Sequence, residues 1–330
     1  MKKIIPGLPL AVALALALGA APALAQEVRI PHAQGETVLP AAPQKIAVFD
    51  LPTLDIVNAL GKSDLVVAVP KSADGPANFP AHPMGFAEDR HAPAGTLFEP
   101  DAAALKALAP DLIVVGGRSA AQFEQMAAIA PTVDLSAGAG DMVSNVIAST
   151  ENLGRLLGAE EEAAARIAAF RETIARTHEL GGKAGTGLLL FGAGEGFSAQ
   201  PPGSRFGGVY DLTGIEPAIG PSEAAPGPRP EPGTPEAAAA RQRQQEALEA
   251  ALAADPDWIF TIDRNAAVGN TEVAPLADRL AADERVTATS AWQEGRVIHL
   301  DSKVWYLMTG GIDGMTASAE AAAAAFAQAQ

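Results

Sequence analysis

The chain has 330 residues, 48% of them hydrophobic and 5% aromatic, with 39 acidic against 23 basic side chains and a formal charge of −16. That much apolar content excludes a disordered chain, and the length allows two domains, each with its own core. Cysteine is absent, which excludes disulfides and a lipid-bearing Cys. The strong acidity disfavours nucleic acid and anionic lipid as partners, though not an anionic small ligand held by local charges.

The chain opens with a secretory pattern. Lys2 and Lys3 precede an apolar run over 8–18, and Ala23-Leu24-Ala25 supplies small residues for cleavage. The run is too short to span a bilayer. Residues 1–25 are therefore expected to be a signal peptide that is removed on export, leaving a periplasmic chain without a membrane anchor. Loss of the two lysines takes the formal charge to about −18.

A short hairpin is predicted over 28–39, then a strand over 45–49. Leu51, Leu54, Val57 and Leu60 have helical spacing, stopped by Gly61. A second strand covers 65–69. Residues 70–96 carry five prolines and read as loop. His82 and His91 lie there with no compact metal spacing and read as solvated.

LFEPDAAALKALAPDLIVVGGRSA (97–120) and EALEAALAADPDWIFTIDRNAA (246–267) repeat one phrase. Each runs from an Ala/Leu helix through Pro-Asp into an apolar strand and then an Arg. The separation from Pro110 to Arg118 equals that from Pro256 to Arg264. Proline ends each helix, and unbroken apolar runs read as buried parallel strands. Arg118 and Arg264 thus fall just past strand carboxyl ends, where open α/β sheets bind ligands.

Between the repeats, a short helix (122–129), a strand (131–135) and two longer helices (142–157 and 160–180) are predicted. Gly181-Gly182 reads as the stop of the second, a stiff connector of about 30 Å. A strand over 187–191 leads into Gly192, Gly194 and Gly196. The dinucleotide fingerprint fails there, because Phe197 stands where its last Gly belongs. Arg205-Phe206-Gly207-Gly208 enters a short helix. Residues 217–235 hold seven prolines and read as a loop of polyproline character, a flap or an insertion. After the second repeat come a short helix at 276–280, a strand at 296–300 with a structural His299, Tyr306 beyond its end, and an Ala-rich helix at 312–327.

No nucleophile elbow, HExxH, Walker A or metal-cysteine pattern is present. What remains is Arg118, Arg205, Arg264 and Tyr306 at strand ends. Three guanidiniums suit a multiply charged ligand through paired, charge-assisted hydrogen bonds. A tyrosine adds a hydrogen bond or a phenolate for a hard metal.

In order, KIAVFDLPTLDIVNALG, LVVAVPKS, GTLFEPD, APDLIVVGGRSA, PTVDLS, PPGSRFGGVYDLTG, DPDWIFTIDRNAAVG, TSAWQEGRVIHLD and WYLMTGG resemble the periplasmic binding proteins of iron–siderophore ABC importers, ferric catecholate branch. The resemblance implies an α/β fold of two lobes, each with a central parallel sheet, joined by one long helix: lobes at 26–158 and 183–330, connector at 159–182. It implies no enzyme activity and no intrinsic cofactor. The ligand would be an Fe(III)-siderophore surrounded by Arg118, Arg205 and Arg264, with Tyr306 able to ligate the iron. Related sequences place a His seven residues before a Glu; here the Glu is Glu249 and the His position is Gln242. The resemblance further implies a monomer that docks on an ABC permease through acidic residues. Glu249 is the second-lobe candidate, and Glu99 or Asp101 substitutes for Ala103 on the first. Haem, cobalamin or another metal chelate is the alternative cargo, and an exported hydrolase or oxidoreductase the remote one.

Overall fold

The computed structural model describes residues 27–71, 91–138, 140–221 and 231–329. The leader segment, His82 and the centre of the proline-rich stretch lie outside them.

The chain begins with the antiparallel hairpin β1 (Val28–His32) and β2 (Gly35–Leu39). Strand β3 (Ile46–Val48) leads to helix α1 (Leu51–Ala59), whose N-cap Asp50 accepts from the Thr53 backbone N–H. Strands β4 (Val66–Val69) and β5 (Ala92–Pro93), helix α2 (Ala102–Leu108), strand β6 (Leu112–Val115), helix α3 (Phe123–Ala127) and strand β7 (Thr132–Asp134) complete the first unit. Its five strands run in the order β5-β4-β3-β6-β7, all parallel. The apolar runs that mark them are buried on both faces, as crossover helices require.

Helix α4 (Met142–Leu157) ends at Gly158 in the left-handed conformation, and α5 (Glu160–Gly181) follows at once. Three glutamates in the first turn of α5 complement its dipole. Ala163, Ile167, Phe170 and Ile174 form its buried stripe.

The second unit comprises β8 (Thr186–Ala193), β9 (Gly196–Gln200), α6 (Gly208–Thr213), β10 (Glu216–Pro217), α7 (Pro235–Ala253), β11 (Trp258–Asp263), α8 (Arg264–Ala267), α9 (Leu276–Ala281), α10 (Glu284–Thr287), α11 (Ser290–Gln293), β12 (Val297–His299), α12 (Ser302–Leu307) and α13 (Ile312–Gln328). Strands β10-β8-β11-β12 are parallel, and β9 adds to β8 antiparallel.

Several expectations need correction. Of the three glycines, Gly192 lies within β8 and Gly196 opens β9, and Gly194 at φ +57° turns the hairpin between them. Both described ends of the proline-rich stretch are structured: Pro217 lies in β10, and Pro235 opens α7 behind its N-cap Thr234. His91 is 1% exposed, because β5 begins immediately after it and pairs into the sheet. Gly181 does not stop α5 but belongs to its last turn. A Cβ there would lie 2.1 Å from the Thr213 carbonyl oxygen. Gly181→Ala is therefore expected to cost about 2–3 kcal/mol, since this neighbour and the Ile215 nitrogen, 3.1 Å away, are both backbone and neither can give. A urea midpoint equal to that of the wild type would show that the α5–α6 contact is loose.

One buried apolar cluster runs from the first sheet (Ile46, Val48, Val114) through Phe170 of α5 and Phe326 of α13 to the second (Leu189, Phe260, Ile262). Separate clusters cover the outer face of each sheet. Helix α13 leaves the second unit and packs on α5 and α1. A continuous close-packed core opposes a wide hinge and leaves room for slight rocking.

Candidate functional site

Each sheet reverses its order of construction once. In the first, the chain builds β3, β4 and β5 in one direction and then β6 and β7 in the other. The crevice at the carboxyl ends of β3 and β6 is a topological switch point. In the second, β8 and β11 flank the corresponding crevice.

Asp50 follows β3, and Arg118 follows β6. The two strand ends are knitted by Ser119, whose hydroxyl donates to the Phe49 carbonyl (2.9 Å) and accepts from the Gly116 N–H (3.0 Å). Gly116 is needed there, because its Cβ would sit 2.7 Å from Asp50 Oδ1. Arg118 lies on a 3₁₀ turn over Gly117–Gln122 and reaches across the crevice. It donates to the Tyr306 carbonyl at 2.5 Å and the Leu307 carbonyl at 3.5 Å.

On the other side, Arg264 opens α8, which Asp263 caps. Arg264 Nε donates to the Tyr306 hydroxyl at 3.0 Å. Arg205 sits in the turn between β9 and α6, beside the buried Phe206. Tyr306 projects from α12, and its ring is the meeting point: the Arg118, Arg205 and Arg264 guanidinium carbons lie 4.9, 4.9 and 5.7 Å from its centroid. Such distances are within cation–π range. Phe191 and Phe206 pack 4.6 Å apart and flank Tyr306 at 6.1 and 6.2 Å, so the cations rest on an aromatic floor.

All four residues singled out from sequence therefore come together. Arg118, Arg205 and Tyr306 line a cleft of about 480 Å³, together with Asp50, Leu97 and Gly117. Arg264 is not among its lining residues and acts through the Tyr306 hydroxyl. Sequence reasoning missed Asp50 and the aromatic floor. Asp50 was open to discovery, since it follows a strand as Arg118 does.

The charges bear on one another. Burial raises the Tyr306 phenol. The Arg264 hydrogen bond and the positive charges of Arg264, Arg118 and Arg205 outweigh it and hold the phenol below the ordinary tyrosine range. Burial and the like charge of Arg205 lower the Arg118 guanidinium. Burial pushes the Asp50 carboxyl up to about 6, against the two Thr53 hydrogen bonds.

The chain has 2 tyrosines, and the other is Tyr210. Burial raises it to about 12; its hydroxyl donates to the Gln200 carbonyl at 2.9 Å. Alkaline titration of tyrosinate absorbance is expected to resolve two steps, Tyr306 below the ordinary value and Tyr210 near 12. Arg264→Ala moves the first step upward, and Tyr306→Phe removes it. The two have opposite linkage. Folding favours the ionised Tyr306, so its contribution is present at high pH and is lost as pH falls through its depressed pKa. Folding favours neutral Tyr210, whose contribution is present below the ordinary tyrosine pKa and is lost toward pH 12. A single merged step would show that the guanidiniums do not act on Tyr306.

The acidic docking candidates lie on the surface. Glu249 on α7 stands 3.7 Å from Arg285 and accepts from Gln245 at 3.2 Å, beside a groove of about 480 Å³. Glu99 is exposed, in a loop pinched by the Gly95–Pro100 bridge. The Asp101 carboxylate is occupied in capping α2, accepting from the Ala103 and Ala104 N–H groups. Among the described residues no group of three His, Asp or Glu is placed to hold a metal ion, and no helix is long and apolar enough to cross a membrane.

Two α/β units joined through one helix, with cations at facing sheet ends, define a bilobed solute-binding protein. The chain belongs to the periplasmic binding protein family, whose model matches residues 46–304. It is 29% identical over 281 residues to the petrobactin-binding protein YclQ of Bacillus subtilis, covering 85% of this chain and 81% of that one. The ferric-anguibactin-binding protein FatB of Vibrio anguillarum is 27% identical over 300 residues, with coverage of 87% and 83%. Among solved structures, a TroA-like periplasmic binding protein from Xylanimonas cellulosilytica superposes with a TM-score of 0.73 at 32% identity, covering 88% of this chain and 92% of that one.

Proposed function

We propose that this chain captures an anionic ferric siderophore, of catecholate type, in the cleft between its two lobes and delivers it to an ABC transporter permease in the inner membrane. The observation that carries this reading is the set of three guanidiniums gathered round one tyrosine where two switch points face each other. Arg118, Arg205 and Arg264 offset the negative charge on the chelate oxygens, and the Tyr306 ring, which lines the cleft, meets flat apolar rings. Tyr306, already drawn toward its phenolate, is positioned to occupy a coordination site that the chelator leaves open. The cargo brings its own metal ligands, in keeping with a site built of cations. In this reading the lobes are 26–158 and 183–330, linked by 159–182, and the protein performs no chemistry and needs no resident cofactor. It works as a monomer in the periplasm after cleavage of residues 1–25. Glu249 and Glu99 meet basic residues of the permease.

The test is quenching of intrinsic tryptophan fluorescence. Trp305 adjoins Tyr306 on α12 and is fully buried, its indole N–H bonded to Ser318 Oγ at 3.0 Å. Ferric catecholates are expected to quench at submicromolar concentration and their iron-free forms far more weakly. Quenching by haem alone would replace the siderophore with haem as cargo.

A further inference from the structure

The cleft continues into a side chamber of about 140 Å³ whose polarity is opposite to that of the arginine wall. The chamber is lined by Asp50, Thr53, Ser136, Asn145, Ser149 and Thr309. Asp50 is the one charged residue in that lining and is 9% exposed. The donors there are largely spent inside the protein. The Thr53 hydroxyl donates to Asp50 Oδ2 at 2.7 Å, and the Ser136 hydroxyl to Asp134 Oδ1 at 2.5 Å. The Asn145 amide donates to the carbonyls of Gly138 (3.3 Å) and Gly140 (3.4 Å), and the Thr309 hydroxyl donates to the Trp305 carbonyl. The Ser136 hydroxyl also accepts from the Gly117 N–H at 3.0 Å, and the rest of the lining is apolar, Ile56 and Leu135 included. Among the described residues no hydrogen bond reaches Asp50 Oδ1, since both bonds of this carboxylate go to Oδ2. Capping α1 uses Oδ2, whereas Oδ1 lies beside Gly116, whose Cβ would sit 2.7 Å from it, and takes no part in the cap.

We propose that Asp50 and this chamber form a subsite for a protonated amine arm of the chelate, making the cleft a two-signed recognition site. The arginine wall takes the oxygens, and the chamber selects among ferric chelates those that carry an ammonium group. A buried carboxylate in an otherwise neutral lining complements an ammonium, which is all donor. At roughly 30 Å³ per water-sized group, the volume accommodates an ammonium and a few methylenes. Three nearby cations would repel an ammonium that lacked this counter-charge.

The inference rests on the ferric-chelate reading, and the experiment separates the two. Fluorescence titrations at pH 8, where Asp50 is ionised, compare two probes. One is the ferric complex of an aminopropyl amide of dihydroxybenzoic acid; the other is the same chelate with its amine acetylated. Wild type is expected to prefer the free amine by about tenfold, the scale of one charge-assisted hydrogen bond. The ratio falls to about one in Asp50→Asn, which keeps a capping side chain of equal quality, and in Ser149→Leu, which fills the chamber from another element. Circular dichroism confirms that both variants are folded. A wild-type ratio near one, or a ratio unchanged in both variants, overturns the subsite and leaves the siderophore reading standing. Failure of both probes to bind folded wild type overturns the reading itself, and the subsite with it.

Discussion

Replacing Arg205 and Arg264 together with alanine is expected to weaken binding of a ferric catecholate by about a hundredfold. The three arginines are not equivalent. Arg118 spends donors on the Tyr306 and Leu307 carbonyls, and Arg264 spends Nε on the Tyr306 hydroxyl. Arg205 makes ring contacts to Phe206 and Tyr306 but, among the described residues, no hydrogen bond or ion pair. The residue is exposed, so its donors are available to a ligand. A charge-assisted hydrogen bond contributes about 1.5–3 kcal/mol, and partial exposure places these arginines at the lower end. Each single substitution is then expected to cost about tenfold. The pair is not strictly additive, because both act on one tyrosine. The loss should shrink in half-molar salt, which screens the attraction in wild type too. Arg118→Ala is expected to cost stability as well as affinity, since it removes a bridge between the lobes. Affinity of the double variant within twofold of wild type would remove the cationic wall from the site.

The parts of this site that were legible in the sequence are those fixed by local rules. Leu112 to Val115 and Trp258 to Ile262 announce strands by apolar runs without alternation, broken only by Thr261 in the second, and each Pro-Asp marks where a helix must stop. The matched distance from proline to arginine follows from building two units on one plan, so Arg118 and Arg264 could be placed at strand ends without a structure. What stayed hidden depends on contacts distant in sequence. Nothing near Tyr306 says that its ring will lie among guanidiniums contributed by residues 118, 205 and 264. Strand β9 is short and half-buried, and its glycine-rich approach carries no strand signal. His91 has no apolar neighbourhood in sequence; the pairing of β5 with β4 buries it. Asp50 looks like a helix cap because it is one, and the spare oxygen shows only once Gly116 and the side chamber are in place. The departure of α13 from its own unit to cover α1 and α5 has no local signature either, since an alanine-rich stripe fits many partners.

That last packing yields the largest stability effect expected of a single substitution. Asp55 lies on α1, is 1% exposed, and accepts from the backbone N–H groups of Asp313 (2.8 Å) and Gly314 (3.0 Å). These belong to the first turn of α13, whose N–H groups have no partner within the helix. A carboxylate also meets the positive end of the α13 dipole there. Gly311 allows the approach, because its Cβ would fall 2.5 Å from the Asp55 side chain. Asp55→Ala removes two charge-assisted hydrogen bonds and leaves one buried and one part-buried donor unmatched, a cost of about 3–4 kcal/mol. Asp55→Asn keeps the volume and one acceptor and should cost about half as much. Urea denaturation of the two variants checks the order, and equal midpoints for Ala and wild type would show that α13 is held by its apolar stripe alone. The consequence reaches the cleft. The segment between α12 and α13 contains Thr309, which lines the cleft, and α12 carries Tyr306. Unpinning α13 from α1 therefore loosens the ring on which the three guanidiniums converge. Asp55→Ala is expected to lower affinity and stability together, whereas Arg205→Ala lowers affinity alone. That contrast separates a residue that holds the two lobes in register from one that meets the ligand.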